Sequence, residues 1–137
     1  MINLHCTKKL IAKLPVNDGL LPKGEALNDS LKEKIVCNPL SNWHANLLTL
    51  QRRNCVLLVH DQTRFPLLLS CLTKPDFAAL DYHFSDALMN TLLKAGANDK
   101  QMQAAQEYLA PLTIDNVCDR SVQGSMNQMA KEIEHSL

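Results

Sequence analysis

An α+β fold, a mostly antiparallel mixed sheet with helices over it, is predicted by three observations. Residues 42–72 read as three apolar runs, NWHANLLTL, CVLLVH and FPLLLSCL, parted by the polar breaks QRRN and DQTR, which is the pattern of a three-stranded antiparallel meander over about 43–72. Both faces of that meander are apolar, so both need a cover. The flanking segments supply stripes of helical spacing and further short strands, in the order β, α, (α), β, β, β, α, α, α, β, α.

In chain order, Ile2 to Cys6 is a strand with Ile2, Leu4 and Cys6 on one side, and Thr7 caps a helix over Lys8–Leu14 that Pro15 ends. The region 16–41 is the least defined. Leu27, Leu31 and Ile35 at spacings of four suggest a helix across Glu25–Val36, and the whole stretch reads as a flexible insertion in an otherwise single domain of residues 1–137. After the meander, Thr73-Lys74-Pro75-Asp76 opens a helix to about Tyr82. Ser85-Asp86 starts the next, with Leu88, Leu92 and Leu93 inward and Gly96 as its stop. Asn98 with Gln101 makes a capping box for a helix holding Met102, Ala105, Tyr108 and Leu109. Leu112 to Cys118 is a strand candidate. Asp119 or Ser121 then caps a last helix, whose Val122, Met126, Met129 and Ile133 form one apolar stripe.

The register of the meander decides which polar groups meet. With Gln51 to Asn54 closing the first hairpin, Leu50 faces Cys55, Leu48 faces Leu57, Asn46 faces Val59 and His44 faces Asp61. With Asp61 to Arg64 closing the second, His60 faces Phe65 and Val59 faces Pro66. One face then carries Leu48, Leu50, Cys55, Leu57, Val59 and Leu68, ending in His44, Asn46, Asp61 and Arg64. The other carries Trp43, Ala45, Leu47, Val56, Leu58, Phe65, Leu67 and Leu69, with His60. A carboxylate beside an imidazole fixes its tautomer and raises its basicity, as a general base requires. His44 and Asp61 are therefore the candidate catalytic pair, with Arg64 as an anion fork and Asn46 as a neutral donor. The competing reading is a solvated turn ion pair beside a strand-end histidine.

Arg52 and Arg53 at the first hairpin tip form a basic finger or a merely solubilising turn. Trp43 is a stacking platform or a core residue. Arg120 opens the last helix. Gly124 inside that helix suggests a close approach to its backbone, most simply tight packing on the sheet.

With 14 Lys plus Arg against 14 Asp plus Glu, the formal net charge is zero. That argues against a protein whose main affinity is for many phosphates. Five scattered cysteines without a C-x-x-C pair fit a reduced, cytoplasmic chain. No apolar run approaches the roughly 18 residues of a membrane span. The histidines lack zinc spacing, so no metal and no cofactor are expected.

Three stretches together, INLHCTKKL at 2–10, NWHANLLTLQRRNCVLLVHDQTRF at 42–65 and DRSVQGSMNQMAKEI at 119–133, resemble an uncharacterised family of small bacterial proteins known as a domain of unknown function and sometimes linked to plasmid ORF-three-like proteins of mobile elements. The resemblance implies a bacterial cytoplasmic protein, brings no activity with it, and nominates Trp43, His44, Asn46, Arg53, Arg120, Gly124 and Asn127 for testing. The leading expectation is a regulatory or partner-binding module for a protein or nucleic-acid partner, with a homodimer as a further possibility. The alternative is a small hydrolase or nuclease-like toxin built on His44 and Asp61.

Overall fold

The computed structural model describes residues 2–14, 38, 40–70, 72–109, 112–115 and 117–136. The helix expected across Glu25–Val36 lies outside them. Five strands, β1 (Ile2–Cys6), β2 (Trp43–Leu50), β3 (Arg53–His60), β4 (Pro66–Leu69) and β5 (Leu112–Asp115), form one sheet in the order β4-β3-β2-β1-β5. The meander β2-β3-β4 is antiparallel, whereas β1 lies parallel to both β2 and β5. The helices are α1 (Lys8–Ile11), α2 (Lys74–Ala78), α3 (Leu80–Lys94), α4 (Asp99–Tyr108) and α5 (Arg120–Ser136).

The first hairpin is tighter than the sequence suggests. Gln51 and Arg52 both have positive φ, 51° and 67°, which is the two-residue turn whose twist suits antiparallel strands. Leu50 therefore pairs with Arg53, Leu48 with Cys55 and His44 with Val59, two residues away from the expected register. A shift of two preserves which side each residue faces, and both predicted faces survive it. The second hairpin closes as expected, with Val59 opposite Pro66 and the His60 N–H donating to the Phe65 carbonyl at 2.9 Å.

One face is apolar from edge to edge. Leu4, Trp43, Ala45, Val56, Leu58, Leu67 and Ile114 pack against Leu10, Phe77, Leu80, Phe84 and Leu88. Trp43 is buried there, edge-on to Phe84 at 5.3 Å and to His60 at 5.0 Å. On the other face α5 covers Leu48, Leu50, Cys55, Leu57 and Val59 of β2 and β3 with Val122, Met126 and Ala130, while Leu68 of β4 is left exposed. Burying one such large apolar side chain stabilises by about 1.5–3 kcal/mol, so the stripe on α5 is what holds that helix to the sheet.

The helix boundaries differ from the sequence reading at α1, which ends at Ile11 rather than Leu14 with no side-chain cap from Thr7, and in the stretch after the meander. A capping box between Thr73 and Asp76 starts α2, but the backbone turns out of the helix at Ala79, and α3 begins at Leu80 rather than at Ser85. The buried stripe Leu80, Phe84, Leu88 runs straight past Ser85 and Asp86, which sit off it as helix-interior residues. Leu93 is consequently 62% exposed, not inward. Gly96, at φ +89°, ends the helix as expected, and Asn98 with Gln101 forms the capping box of α4. Strand β5 stops at Asp115, short of Cys118.

Candidate functional site

Because side chains alternate along a strand, burying Ile2, Leu4 and Cys6 on the first face turns Asn3 and His5 onto the second. The β1-β2 register sets His5 beside His44, and the β1-β5 register sets it beside Asp115. Asp61 arrives from the turn after β3. Two imidazoles and two carboxylates from four separate stretches of chain thus gather at the polar end of the second face, beside the start of α5.

His44 is 1% exposed, and both of its nitrogens are engaged. Nδ1 lies 2.7 Å from Asp61 Oδ1, and Nε2 accepts the backbone N–H of Asp119 at 2.7 Å. A nitrogen that accepts an N–H bond carries no proton, so the ring is neutral, with its hydrogen on Nδ1 donated to Asp61. Asp119 in turn caps α5, its Oδ1 accepting from the N–H groups of Ser121 at 2.8 Å and Val122 at 3.2 Å. His44 therefore ties the sheet to the start of α5, and its spare lone pair is already used.

The ring of His5 sits 4.8 Å from that of His44, in different surroundings. Its Nδ1 is 2.6 Å from Asp115 Oδ1, its Nε2 is 3.8 Å from Asp61 Oδ2, and its side chain is 17% exposed, against 24% for Asp61 and 33% for Asp115. Burial by itself would lower the pKa of His5. The hydrogen bond that His5 donates to Asp115 and the charges of Asp115 and Asp61 outweigh it, and the pKa is raised above the ordinary 6.5. Asp115 shifts the opposite way. Burial pushes it up, but the hydrogen bonds from His5, from Asn3 Nδ2 at 2.9 Å and from the Val117 N–H at 3.0 Å bring it below its usual value.

The remaining sequence candidates divide as follows. Asn46 Oδ1 accepts from the Thr7 hydroxyl at 2.7 Å, so Asn46 braces the end of β1. Arg64, at positive φ, turns its guanidinium to the Asp61 carbonyl and to Ser121 Oγ. It bonds the backbone of Asp61 and the start of α5, not the Asp61 carboxylate. Arg120 is the exposed first residue of α5. Trp43 faces the other side of the sheet and is buried at 2% exposure, so it is core and offers no stacking surface. Arg52 and Arg53 lie at the far end of the β2-β3 ribbon from His44, about 20 Å away at 3.3 Å per residue. A Cβ added at Gly124 would meet nothing within 4 Å, and neither close approach nor tight packing explains that glycine. Asn127 is exposed.

Sequence reasoning missed His5 and Asp115 as site residues; it named Asp119 as a cap of the last helix, which it is, but not its N–H bond to His44. The alternation Ile2, Leu4, Cys6 already placed His5 on the opposite side of β1, but which strands flank β1 is not written locally. Cys118, close enough to donate to the Cys6 carbonyl, has its thiol pKa raised by burial and by the Asp115 and Asp61 charges, and is not an activated nucleophile. Among the described residues no group of three His, Cys, Asp or Glu side chains is arranged to hold a metal ion, and no helix is long and apolar enough to cross a membrane.

A family model described as a domain of unknown function, DUF6933, matches residues 3–137. The chain belongs to that family. The DUF6933 match spans the whole cluster, from Asn3 and His5 through His44 and Asp61 to Asp115 and Asp119. No curated protein and no solved structure matches the chain.

Proposed function

We propose that this DUF6933 protein is a docking module that recognises a protein partner through the polar end of the second sheet face, with the Arg52-Arg53 hairpin as an outlying contact. One observation carries this reading: partly exposed polar residues from β1, the β3-β4 turn, β5 and the start of α5 converge at one end of the sheet. A protein is favoured over a nucleic acid because Asp61, Asp115 and Asp119 would repel phosphates there and the chain has no net positive charge. The hairpin tip stands about 20 Å off, within the span of a standard interface of about 800 Å² per partner. The bacterial, cytoplasmic and mobile-element setting rests on the three motifs and on the cysteine usage.

A hydrolase or nuclease-like toxin built on His44 and Asp61 loses support from the same geometry. The His44 Nε2 lone pair that would take a proton holds the Asp119 N–H instead.

The docking reading is tested by in-cell crosslinking of tagged protein followed by quantified binding of the species recovered. Arg52→Glu with Arg53→Glu is expected to weaken binding at least about tenfold, the scale of losing one or two charged contacts. Undiminished binding of every recovered partner contradicts it.

A further inference from the structure

Of the two imidazoles in the cluster, His44 is hydrogen-bonded through both nitrogens and His5 through Nδ1. We propose that His5, not His44, is the proton-transferring group of an acid–base site for an uncharged substrate presenting a hydroxyl, an ester carbonyl or a water to be activated. This goes beyond the docking reading; the two share the polar end of the sheet but fail separately, since turnover of a small ester needs no partner and the hairpin variant leaves His5 intact.

Three features of geometry carry the inference. Asp115 holds Nδ1 at 2.6 Å and so fixes the ring and its tautomer, the part a carboxylate plays behind a catalytic histidine. Nε2 is 3.8 Å from Asp61 Oδ2, too far for a hydrogen bond between them. A hydroxyl or water oxygen placed off the line joining the two atoms, about 2.8 Å from each, can donate to Asp61 Oδ2 while it donates to neutral Nε2 or accepts from protonated Nε2. The His5 side chain is also partly exposed, whereas His44 is sealed. The charged and titratable groups around His5 are Asp115 from β5, Asp61 from the β3-β4 turn and His44 from β2, with the Cys118 thiol in electrostatic reach of both carboxylates. Two carboxylates at the opening disfavour phosphate or carboxylate groups, so the substrate is uncharged at the reacting atom.

In ester hydrolysis the step balances as follows. Neutral Nε2 takes a proton from water as the water oxygen bonds to the carbonyl carbon and the C=O π pair moves onto the carbonyl oxygen. That pair re-forms the C=O bond as the carbon–oxygen bond to the leaving group breaks with its electrons on the leaving oxygen, which takes the proton back from Nε2, and Asp115 accepts the Nδ1–H hydrogen bond throughout. Because its carboxylate neighbours favour the protonated ring, the base form and hence the rate grow in as pH rises through an ionisation above 6.5.

The test uses the full chain with 4-nitrophenyl acetate as the uncharged probe and 4-nitrophenyl phosphate as the anionic one. The ester should turn over faster than with equimolar free imidazole, and the phosphate should not turn over. His5→Gln should lower the ester rate at least about tenfold. Asp115→Asn, which keeps His5 but removes its charged partner, should move the midpoint of the pH–rate profile downward. Diethyl pyrocarbonate mapped by mass spectrometry at pH 8 should modify His5 and spare His44 in the wild-type protein, a readout that needs no variant to fold. A rate no greater than imidazole's, a rate unaffected by His5→Gln, a midpoint unmoved by Asp115→Asn, or a His5 as unreactive as His44 would each overturn the proposal.

Discussion

The two faces of the sheet solve the problem of burial differently. The first is apolar across all five strands and closed by α1, α2 and α3. The second is buried under α5 over β2 and β3 and finishes in a network of hydrogen-bonded histidines and carboxylates. The contrast recurs on a smaller scale inside that network. Of two imidazoles 4.8 Å apart, His44 meets a carboxylate and a backbone N–H and becomes a structural link. His5 meets a carboxylate on one nitrogen and a gap on the other, and keeps a nitrogen for chemistry. A histidine beside an aspartate is thus only half of a proton-transfer site; what the second nitrogen touches decides the rest.

The largest effect expected from breaking this contrast lies on the apolar face. Phe84→Ala removes a fully buried ring packed against Trp43 and should cost about 3–5 kcal/mol in denaturant unfolding. On the polar face, His44→Phe keeps the volume but strands the Asp119 N–H and the Asp61 carboxylate. It should cost about 1–3 kcal/mol, with amide exchange fastest at the start of α5. Gly124→Ala acts in the other direction: in an exposed helix interior with open space at the Cβ it should stabilise by about 0.5–1 kcal/mol, seen as a raised Tm.

The smallest expected effect is a slope with pH. The raised pKa of His5 contributes stability that is complete below about the unfolded value of 6.5 and is lost as pH climbs through the higher folded value. The lowered pKa of Asp115 contributes stability that is present above about 3.8 and is lost as pH falls through the lower folded value. Thermal stability should therefore be highest between the two and decline on either side, and His5→Gln should flatten the alkaline decline.

Much of this architecture could be read from local pattern. The three apolar runs gave the meander, strict alternation gave both faces, and Asn98 with Gln101 gave a helix start that the structure reproduces in both reciprocal hydrogen bonds. The first hairpin misled because Gln51-Arg52 adopts a turn usually marked by Asn or Gly, so the tight reversal carried no signal. His44 still reaches Asp61 because a shift of two keeps both on one face. The His5–Asp115 pair and the Asp119–His44 contact were out of reach for a different reason. They meet only because β1 inserts between β2 and β5 and α5 begins over β2, pairings across 110 and 75 positions of sequence that no local period encodes.

The most direct test of the contrast between the two histidines is long-range ¹H–¹⁵N correlation of the imidazole nitrogens at pH 7.5, with each histidine assigned by substitution. The geometry predicts the neutral Nδ1–H tautomer for His44, with Nε2 shifted as a hydrogen-bond acceptor, and, when the spectrum is followed across pH, a His5 ring whose ionisation is displaced upward from 6.5. A His44 protonated on Nε2, or a His5 indistinguishable from it, would contradict the account.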